Sequence, residues 1–289
     1  VNKGVGGSTS DARTRFLAIN SPISFSFRNM SWNDTLTSAT WNFSNGASTP
    51  TSTSLATVTN TFSVPGWVTV SLTATSNAGS NTIVKTQSVY AADTTPVGTA
   101  GYSQNFASAV DIANWPMFNH YENQFRWQFY NGAGKDDNSC VRFRSFDTSN
   151  RRTGTATGDL DDFITPAFDL AGLTGNVYFN FYSAGASTNP GGFGTSKVFD
   201  SLQIDVSSSG GAVWTRIASF RTTDLANNGV SSTEFIPGSS STWIGRSVNV
   251  PTAHRTRQTF FRFRMSAGNG GNNVYIDNMS ISPFGTDVQ

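Results

Sequence analysis

The stretch "TFFRFRMSAGNGGNNVYIDNMSI", residues 259–281, carries the clearest strand pattern in the chain. In its first half Phe261 and Phe263 alternate with Arg262 and Arg264, which is the period of two expected of a strand with one apolar face. A connection rich in Gly and Asn follows, and "VYIDNMSI" resumes as a second apolar run. The stretch therefore predicts two consecutive strands, with the arginines on the solvent side of the first.

The same alternation occurs in "CVRFRSF", residues 140–146, where Arg142 and Arg144 alternate with apolar side chains. We interpret each arginine pair as a solvated face that is paired with aspartates. The alternative is a binding face for acidic glycans or for a protein partner.

Similar short runs extend across the rest of the chain. "SPISFSFRN" (21–29) and "WVTVSLTAT" (67–75) alternate strictly, and turn signals separate such runs, so residues 16–91 are expected to form a β-sandwich. The alternation stops at residues 92–101, which are predicted to be a linker. Strand patterns begin again over residues 102–285, and this number of strands with long loops is typical of a jelly roll. Residues 1–15 and 286–289 are predicted to be an N-terminal linker and a tail. Helical periodicity is nearly absent, so the fold class is all-β.

Composition excludes several classes of partner. Of 289 residues only 13% are charged, and the formal net charge is +1, so neither nucleic acid nor an anionic membrane surface is favoured. No run of about 18 apolar residues is present, which argues against membrane insertion. The single cysteine, Cys140, cannot form an intramolecular disulfide. Because few residues are charged, the solubility of the chain rests on Ser, Thr, Asn and Gly, and this composition is typical of an extracellular β-protein.

Motifs for catalysis are missing from the sequence. A zinc peptidase motif H-E-x-x-H cannot be built from His120 and His254, which are the only histidines, and no G-x-S-x-G elbow accompanies them. Cys140 is predicted to be a buried structural thiol. Paired aspartates of a glycosidase stay open as an alternative, but we predict that this chain is not an enzyme.

Residues 40–89, "TWNFSNGASTPTSTSLATVTNTFSVPGWVTVSLTATSNAGSNTIVKTQSV", resemble the PKD (polycystic-kidney-disease) domain, an Ig-like β-sandwich. Asn42 and Asn45 stand where that family's turn carries acidic residues. The second unit is similar to the MAM-like and cleaved-adhesin jelly-roll modules of secreted bacterial proteins. That resemblance is carried by "DDFITPAFDLAG" (161–172), "FDSLQIDVSSSGGAVWTRI" (199–217) and the opening stretch.

The order of the two domains looks like the region after the catalytic domain of cytophagalysin-type zinc metallopeptidases exported by type IX secretion. The resemblance implies a secreted or cell-surface, non-catalytic adhesion region that engages an extracellular protein or glycan ligand, with a catalytic domain upstream. Two alternatives stay open, a carbohydrate-binding module of a glycan-degrading enzyme and a structural repeat of a surface adhesin or filament.

Aspartates are the candidate metal ligands. Strand parity places Asp200 at the inward rim of "DSLQIDV" and Asp277 on the inward face of "VYIDNMSI". A buried carboxylate is unfavourable unless it gains an ion or hydrogen bonds. The resemblance implies structural Ca²⁺ near Asp277, with Asp162 or Asp200 as co-ligands. The alternative is that Asp277 accepts hydrogen bonds from backbone N–H groups or from an arginine.

Aromatic residues cluster in an irregular, loop-rich segment. These are the candidate ligand-binding residues, which would stack on sugar rings or contact a protein: Trp115, Tyr121, Trp127 and Tyr130. The remaining tryptophans that we considered, Trp41, Trp67 and Trp214, fit core positions of predicted strands.

Overall fold

The computed structural model describes residues 2–5, 15–31, 34–146, 160–188, 200–221, 224–238, 240–266 and 271–286. Contacts divide the chain into two compact units. The first comprises Val1–Pro96 and Ser207–Trp214, and the second comprises Val97–Val206 and Thr215–Gln289. Among the described residues, no helix has the length and hydropathy needed to cross a bilayer.

The first unit is an Ig-like β-sandwich. Its strands are β1 (Asn2–Val5), β2 (Phe16–Ala18), β3 (Phe25–Arg28), β4 (Leu36–Phe43), β5 (Thr51–Ser52), β6 (Thr57–Asn60), β7 (Gly66–Ser76) and β8 (Gly79–Ala92). One sheet has the order β1-β3-β6 and the other β2-β8-β7-β4-β5. The predicted alternation is confirmed, because Phe25, Phe27, Val68, Val70 and Leu72 all point into one core around the fully buried Trp41.

The N-terminal region differs from the prediction. Asn2–Val5, which we assigned to a linker, pairs with β3 in antiparallel register as strand β1. The segment alternates little in hydrophobicity, and the short run "NKGV" carries no strand signal that periodicity would detect. The rest of that predicted linker, apart from Arg15, lies outside the described residues.

The second unit is a jelly-roll sandwich of two sheets. Its strands are β9 (Ser103–Gln104), β10 (Met117–Phe118), β11 (Arg126–Asn131), β12 (Ser139–Arg144), β13 (Leu160–Ile164), β14 (Tyr178–Ser187), β15 (Ser201–Ser207), β16 (Thr215–Arg221), β17 (Ile244–Asn249), β18 (Phe260–Ser266) and β19 (Gly271–Ser282). Short 3₁₀ turns lie at Ser240–Thr242 and Thr252–His254. The five-stranded sheet has the order β10-β13-β18-β15-β16. The six-stranded sheet has the order β11-β12-β19-β14-β17, with β9 also paired to β19.

The opening stretch of sequence provides the middle strand of each sheet. Strand β18 lies between β13 and β15, and β19 lies between β12 and β14. Phe261, Phe263 and Met265 of β18 meet Val274 and Ile276 of β19 in the core between the sheets. Because both central strands come from consecutive sequence, this stretch holds the two layers of the jelly roll together, and the prediction of two strands is confirmed.

The predicted solvent exposure of the arginines is wrong for three of the four. Arg262, Arg264 and Arg142 are 3%, 8% and 8% exposed, and only Arg144 is exposed. Parity did place them on the side of their strands that faces away from the core. They are nevertheless buried, and each pairs with a carboxylate that offsets the cost of removing its charge from water: Arg262 with Asp205, Arg264 with Asp162, and Arg142 with Glu234.

Candidate functional site

The outer face of the six-stranded sheet carries a second cluster of side chains, separate from the main core. Tyr130 of β11, Tyr182 of β14 and Tyr275 of β19 pack here around Cys140 and Ala184. We call this surface the aromatic face, defined by Tyr130, Arg142, Tyr182, Tyr275 and Lys135. Strand register brings these side chains together, since Tyr130 lies opposite Cys140, and Arg142 opposite Tyr275.

Arg142 organises one side of the aromatic face. Its guanidinium lies over the Tyr130 ring at 4.0 Å from the centroid, and its Nη1 donates to Glu234 Oε1 at 3.0 Å. Cation–π stacking fixes the tyrosine ring and the guanidinium plane relative to each other. Tyr130 also meets Tyr275 edge-on at 5.7 Å between ring centroids. The result is a rigid aromatic and charged pair in which Tyr130 stays partly exposed.

Lys135 and Tyr182 form the other side. The Lys135 Nζ lies 4.8 Å from the centroid of the Tyr182 ring. Register places Tyr182 opposite Asp277, whose Oδ2 accepts the backbone N–H of Lys135 at 2.6 Å. Both Tyr182 and Lys135 are partly exposed. The loop between β11 and β12 is therefore fastened to β19, which holds the lysine above the tyrosine.

Two buried asparagines hold the loop that borders the aromatic face. Asn272 Oδ1 accepts the Phe235 N–H at 3.0 Å, and its Nδ2 donates to the Thr233 carbonyl at 2.8 Å. Asn273 Nδ2 donates to Glu234 Oε1 at 2.8 Å. The residues that follow β16 are thereby bonded to β19, so Glu234 is positioned by the sheet rather than by its own loop.

Two buried donors at this cluster have no hydrogen-bond partner among the described residues: Arg142 Nε and Trp243 Nε1. Trp243 is 5% exposed and packs edge-on against Tyr275 at 6.4 Å. Native structures pair almost all buried donors, and unpaired ones tend to mark water, an ion or a functional site. Both unpartnered donors therefore add to the polar character of the aromatic face.

Two of the predicted ligand-binding residues are core residues, and the prediction is corrected for them. Trp115 and Trp127 are each 3% exposed. Trp115 stacks on Phe163, and Trp127 Nε1 donates to the Asp161 carbonyl at 3.1 Å. Rings with no exposed face cannot stack on a sugar. Apolar packing buries both rings, although the irregular local sequence had suggested a surface loop.

Tyr121 and Tyr130, the two predicted tyrosines, are accessible. Tyr121 is 38% exposed and lies in the connection between β10 and β11. Tyr130 is part of the aromatic face. Sequence reasoning missed Arg142, Glu234, Lys135 and Tyr182 as members of one cluster. Tyr182 had a usable signal, because in "VYFNFY" it shares parity with Tyr178 and not with the core residues Phe179 and Phe181.

The structure does not bring Asp277, Asp200 and Asp162 together. Asp162 accepts two hydrogen bonds from Arg264, at 2.7 and 2.8 Å, on the other sheet. Asp200 lies against Gly271, where an added Cβ would overlap its carboxylate. Gly271 and Asp277 are six residues apart on β19, which is roughly 20 Å at about 3.3 Å per residue. One ion cannot be shared by these three carboxylates, so that ligand set is corrected.

Asp162 instead serves as a counter-ion. Its Oδ2 also lies 3.0 Å from His120 Nε2. Burial alone would raise the pKa of Asp162, but Arg262 and Arg264 outweigh burial and hold that pKa well below the ordinary value. His120 is thus one neighbour of this buried carboxylate, and its ring packs flat on Phe118.

Asp277 is buried, but on the outer side of its sheet. Asn180 pairs with Ser280 and Tyr182 with Asp277, so two steps along β14 match three along β19, which is a β-bulge. Asn278 within it has φ of 46°. Tyr275 and Asp277 therefore face outward while Met279 and Ile281 face the core. The inward direction that uniform parity predicted is wrong for Asp277.

The surroundings of Asp277 fit the alternative of backbone hydrogen bonding. Its Oδ1 accepts the Asn278 N–H at 2.8 Å, and its Oδ2 accepts the Lys135 N–H. Burial raises the pKa of Asp277 to about 7, the two N–H groups oppose that shift, and Asp137 and Asp136 add to it. In the described part of the chain, no three side chains of His, Cys, Asp or Glu form a ready metal cluster.

Cys140 lies under the aromatic face and is fully buried, as predicted. Burial raises the pKa of its thiol, and Asp277 adds to the shift. A thiol held neutral in this way is a poor nucleophile.

Comparisons with known proteins found one family model and several similar solved structures. Residues 8–89 match the family model of the PKD domain, which confirms the resemblance of the first unit. The chain is similar to the K1 cleaved adhesin domain of Lys-gingipain from Porphyromonas gingivalis W83, with 18% identity, 64% of this chain and 98% of that chain covered, and a TM-score of 0.41. A search of curated proteins found no match.

Two further solved structures are similar at comparable levels. The K2 cleaved adhesin domain of Lys-gingipain has 17% identity, with 63% of this chain and 97% of that chain covered and a TM-score of 0.40. CBM27-1 of Caldicellulosiruptor saccharolyticus, in complex with mannohexaose, has 15% identity, with 59% and 91% covered and a TM-score of 0.34.

Proposed function

We propose that the second unit is a non-catalytic binding module that engages an extracellular glycan or protein segment across the aromatic face. The observation that carries this proposal is the arrangement of Tyr130 under Arg142 and Tyr182 under Lys135 on one sheet surface. Binding sites combine apolar and aromatic contact area with a few well-placed polar groups. Partly exposed tyrosines held by cations meet that description.

Rigidity strengthens the proposal. Tyr130 is fixed by Arg142 and Tyr275, and Glu234 is fixed by Asn273 and Arg142. Side chains that are already ordered lose less conformational entropy when a ligand binds. Glu234 has a 40% exposed side chain, so its carboxylate is open to hydroxyl or amide donors of a ligand.

The charge on the aromatic face favours an uncharged glycan over an acidic one. Arg142 is paired with Glu234, and the Lys135 Nζ lies 3.3 Å from Asp136 Oδ1. Because each cation already has a carboxylate partner, little net positive charge is left for an anionic ligand. A carbohydrate-binding module of a glycan-degrading enzyme is accordingly the second candidate function.

A matched pair of tyrosine substitutions tests the aromatic face. We expect Tyr182→Ala to weaken binding on a glycan array or to immobilised extracellular matrix proteins by about tenfold or more, as removal of an aromatic anchor does. Tyr121→Ala is the control, because it removes an accessible tyrosine of the same unit that lies outside this face. Loss of binding with Tyr121→Ala and not with Tyr182→Ala would assign the ligand to a different surface.

The proposed binding function would be contradicted if no ligand were found. A full chain that binds no glycan and no extracellular protein under these conditions, and instead self-associates, would replace the proposal with the third candidate, a structural repeat of a surface adhesin or filament.

We place the chain in a secreted or surface-attached bacterial protein, as a region that follows the catalytic domain of a metallopeptidase exported by type IX secretion. The PKD-type unit would act as a spacer. Support comes from the order of the two domains and from the missing H-E-x-x-H motif. The reading frame around this sequence tests it: an upstream H-E-x-x-H helix is expected, and an upstream glycosidase domain would favour the second candidate.

We also propose that Ca²⁺ binds at Asp277. This proposal rests on the family resemblance of the second unit and on the position of Asp277. Asp277 is a 1% exposed carboxylate with Asp136 and Asp137 near enough to raise its pKa. A hard cation would offset that concentration of negative charge. Asp162 and Asp200 are not part of this site, and backbone carbonyls would have to complete the coordination.

A further inference from the structure

The C-terminal segment Ser282–Thr286 crosses the outer face of the six-stranded sheet. Its sequence is "SPFGT", which carries no charge. Asn180 of β14 and Ser247 of β17 lie opposite each other in register, and both hold this segment. Asn180 Nδ2 donates to the Phe284 carbonyl at 3.0 Å. Ser247 Oγ accepts the Thr286 N–H at 2.6 Å. The segment is therefore bonded to two neighbouring strands.

This crossing lies next to Tyr182 of the aromatic face. Asn180 and Tyr182 are two residues apart on β14, so they share a face and their Cα atoms are separated by roughly 7 Å. Tyr182 lies opposite Gly245, two residues before Ser247. A Cβ added to Gly245 would lie 2.7 Å from Thr286 Oγ1 and 3.5 Å from Tyr182 Cε1. The Thr286 hydroxyl therefore lies beside the Tyr182 ring, and Gly245 has no side chain to separate them.

Phe284 is the exposed aromatic residue of the C-terminal segment, with 76% of its surface open to solvent. Single exposed apolar side chains are common and do not by themselves mark a binding site. Phe284 differs because its backbone is held on both sides, its carbonyl by Asn180 and its N–H by Ser282 Oγ at 3.0 Å. An ordered backbone thus presents this ring close to the partly exposed Tyr182.

Neutral hydroxyl groups border the two rings. Thr286 Oγ1 and Ser247 Oγ lie 3.0 Å apart, and a hydroxyl can take part in more than one hydrogen bond. Lys135, whose Nζ lies over the Tyr182 ring, is already paired with Asp136. Flat rings beside neutral hydroxyls match the apolar face and the hydroxyl edge of an uncharged sugar.

We propose that Phe284 is a second aromatic contact of the binding site and that the ligand is an uncharged glycan chain running from Tyr182 to Phe284. This inference rests on the proposed function of the aromatic face and extends the site to the C-terminal segment. One sugar unit stacks on the Phe284 ring, another contacts Tyr182, and the Thr286 hydroxyl bonds to a hydroxyl of the chain. Because the segment is already ordered, little conformational entropy is lost when the glycan binds.

Retention of the full chain on neutral polysaccharides of glucose, mannose, galactose or xylose tests this proposal, with an acidic polysaccharide alongside. We expect Phe284→Ala to raise the dissociation constant for the neutral polysaccharide by about tenfold, as loss of an aromatic anchor does. Phe284→Tyr keeps the ring and should bind like the wild type. Phe284→Leu keeps apolar area but loses the flat ring, so it should behave like Phe284→Ala.

Val110→Ala is the matched control, because Val110 is 81% exposed and belongs to the same unit. It should leave glycan binding unchanged. Binding of an uncharged chain should also change little with salt concentration, because salt screens only interactions between charges.

The variants separate this inference from the proposed function. Loss of glycan binding with Tyr182→Ala but not with Phe284→Ala would overturn the contact to Phe284 and leave the aromatic face as the site. Binding that Phe284→Leu retains would overturn stacking of a sugar on this ring. A wild-type chain that binds a protein or the acidic polysaccharide, and no neutral one, would overturn the glycan class. A chain that binds nothing would contradict the proposed function and this inference together.

Discussion

On the five-stranded sheet of the second unit, the carboxylate of Asp205 has one buried and one exposed arginine beside it. Asp205 is 3% exposed and receives two hydrogen bonds from Arg262, at 3.0 and 2.7 Å. Arg216 approaches the same carboxylate at 4.0 Å, but its side chain is 51% exposed. Removal of one partner of a buried pair leaves the other charge without compensation, whereas an exposed pair is screened by water.

We therefore expect Arg262→Leu to lower the free energy of unfolding by about 3–5 kcal/mol, measured by urea denaturation. Arg216→Leu is the control, with the same substitution beside the same aspartate, and should change stability by less than about 1 kcal/mol. Equal effects of the two substitutions would show that Asp205 is compensated by something other than Arg262.

Individual tryptophans illustrate what local sequence cannot resolve. Trp115 and Trp127 lie in a segment without regular alternation, and nothing in their immediate sequence distinguishes a surface loop from a buried one. Both rings pack on Phe163, which lies 48 positions after Trp115 and 36 positions after Trp127. Tyr121 and Tyr130, from the same segment, stayed accessible.

At the level of a single strand, the bulge in β19 decides which residues reach the aromatic face. Without the extra residue at Asn278, Asp277 and Tyr275 would share a face with Met279 and Ile281. Asn tolerates the left-handed region that φ of 46° requires, whereas a β-branched residue is strained there. The bulge therefore depends on the residue type at this one position.

Substitution at Asn278 tests that dependence. Asn278→Val should destabilise the chain by about 1–3 kcal/mol in urea denaturation because of the strained backbone. Asn278→Gly keeps the backbone conformation accessible and loses the side-chain contact to Asp136, so it should have the smaller effect. If valine is tolerated as well as glycine, the bulge is set by the surrounding strands and not by Asn278.

The stability of the whole molecule tests the calcium proposal, and thermal melting measures it. A ligand that binds only the folded state raises its stability, so the melting temperature should fall when a chelator is added and recover with excess Ca²⁺. Asp277→Asn should melt at the same temperature with and without chelator. An unchanged melting temperature of the wild type, with no metal by elemental analysis, would contradict a stabilising site.

By itself, the sequence determined that this protein is all-β, because an alternation of period two in "SPISFSFRN", "WVTVSLTAT" and "TFFRFRM" is a local property that reports which side of a strand is apolar. It also determined the PKD-type character of the first unit, through motifs that lie close together in the chain.

Only the tertiary structure decided which polar residues meet. Arg142 contacts Glu234 across 92 positions, and Lys135 contacts Asp277 across 142. The aromatic face, the burial of Arg262 and Arg264 and the separation of the three aspartates all depend on strand order, on sheet packing and on one bulge. Strand parity specifies a face but neither its neighbours nor what covers it, because those depend on contacts between residues far apart in sequence.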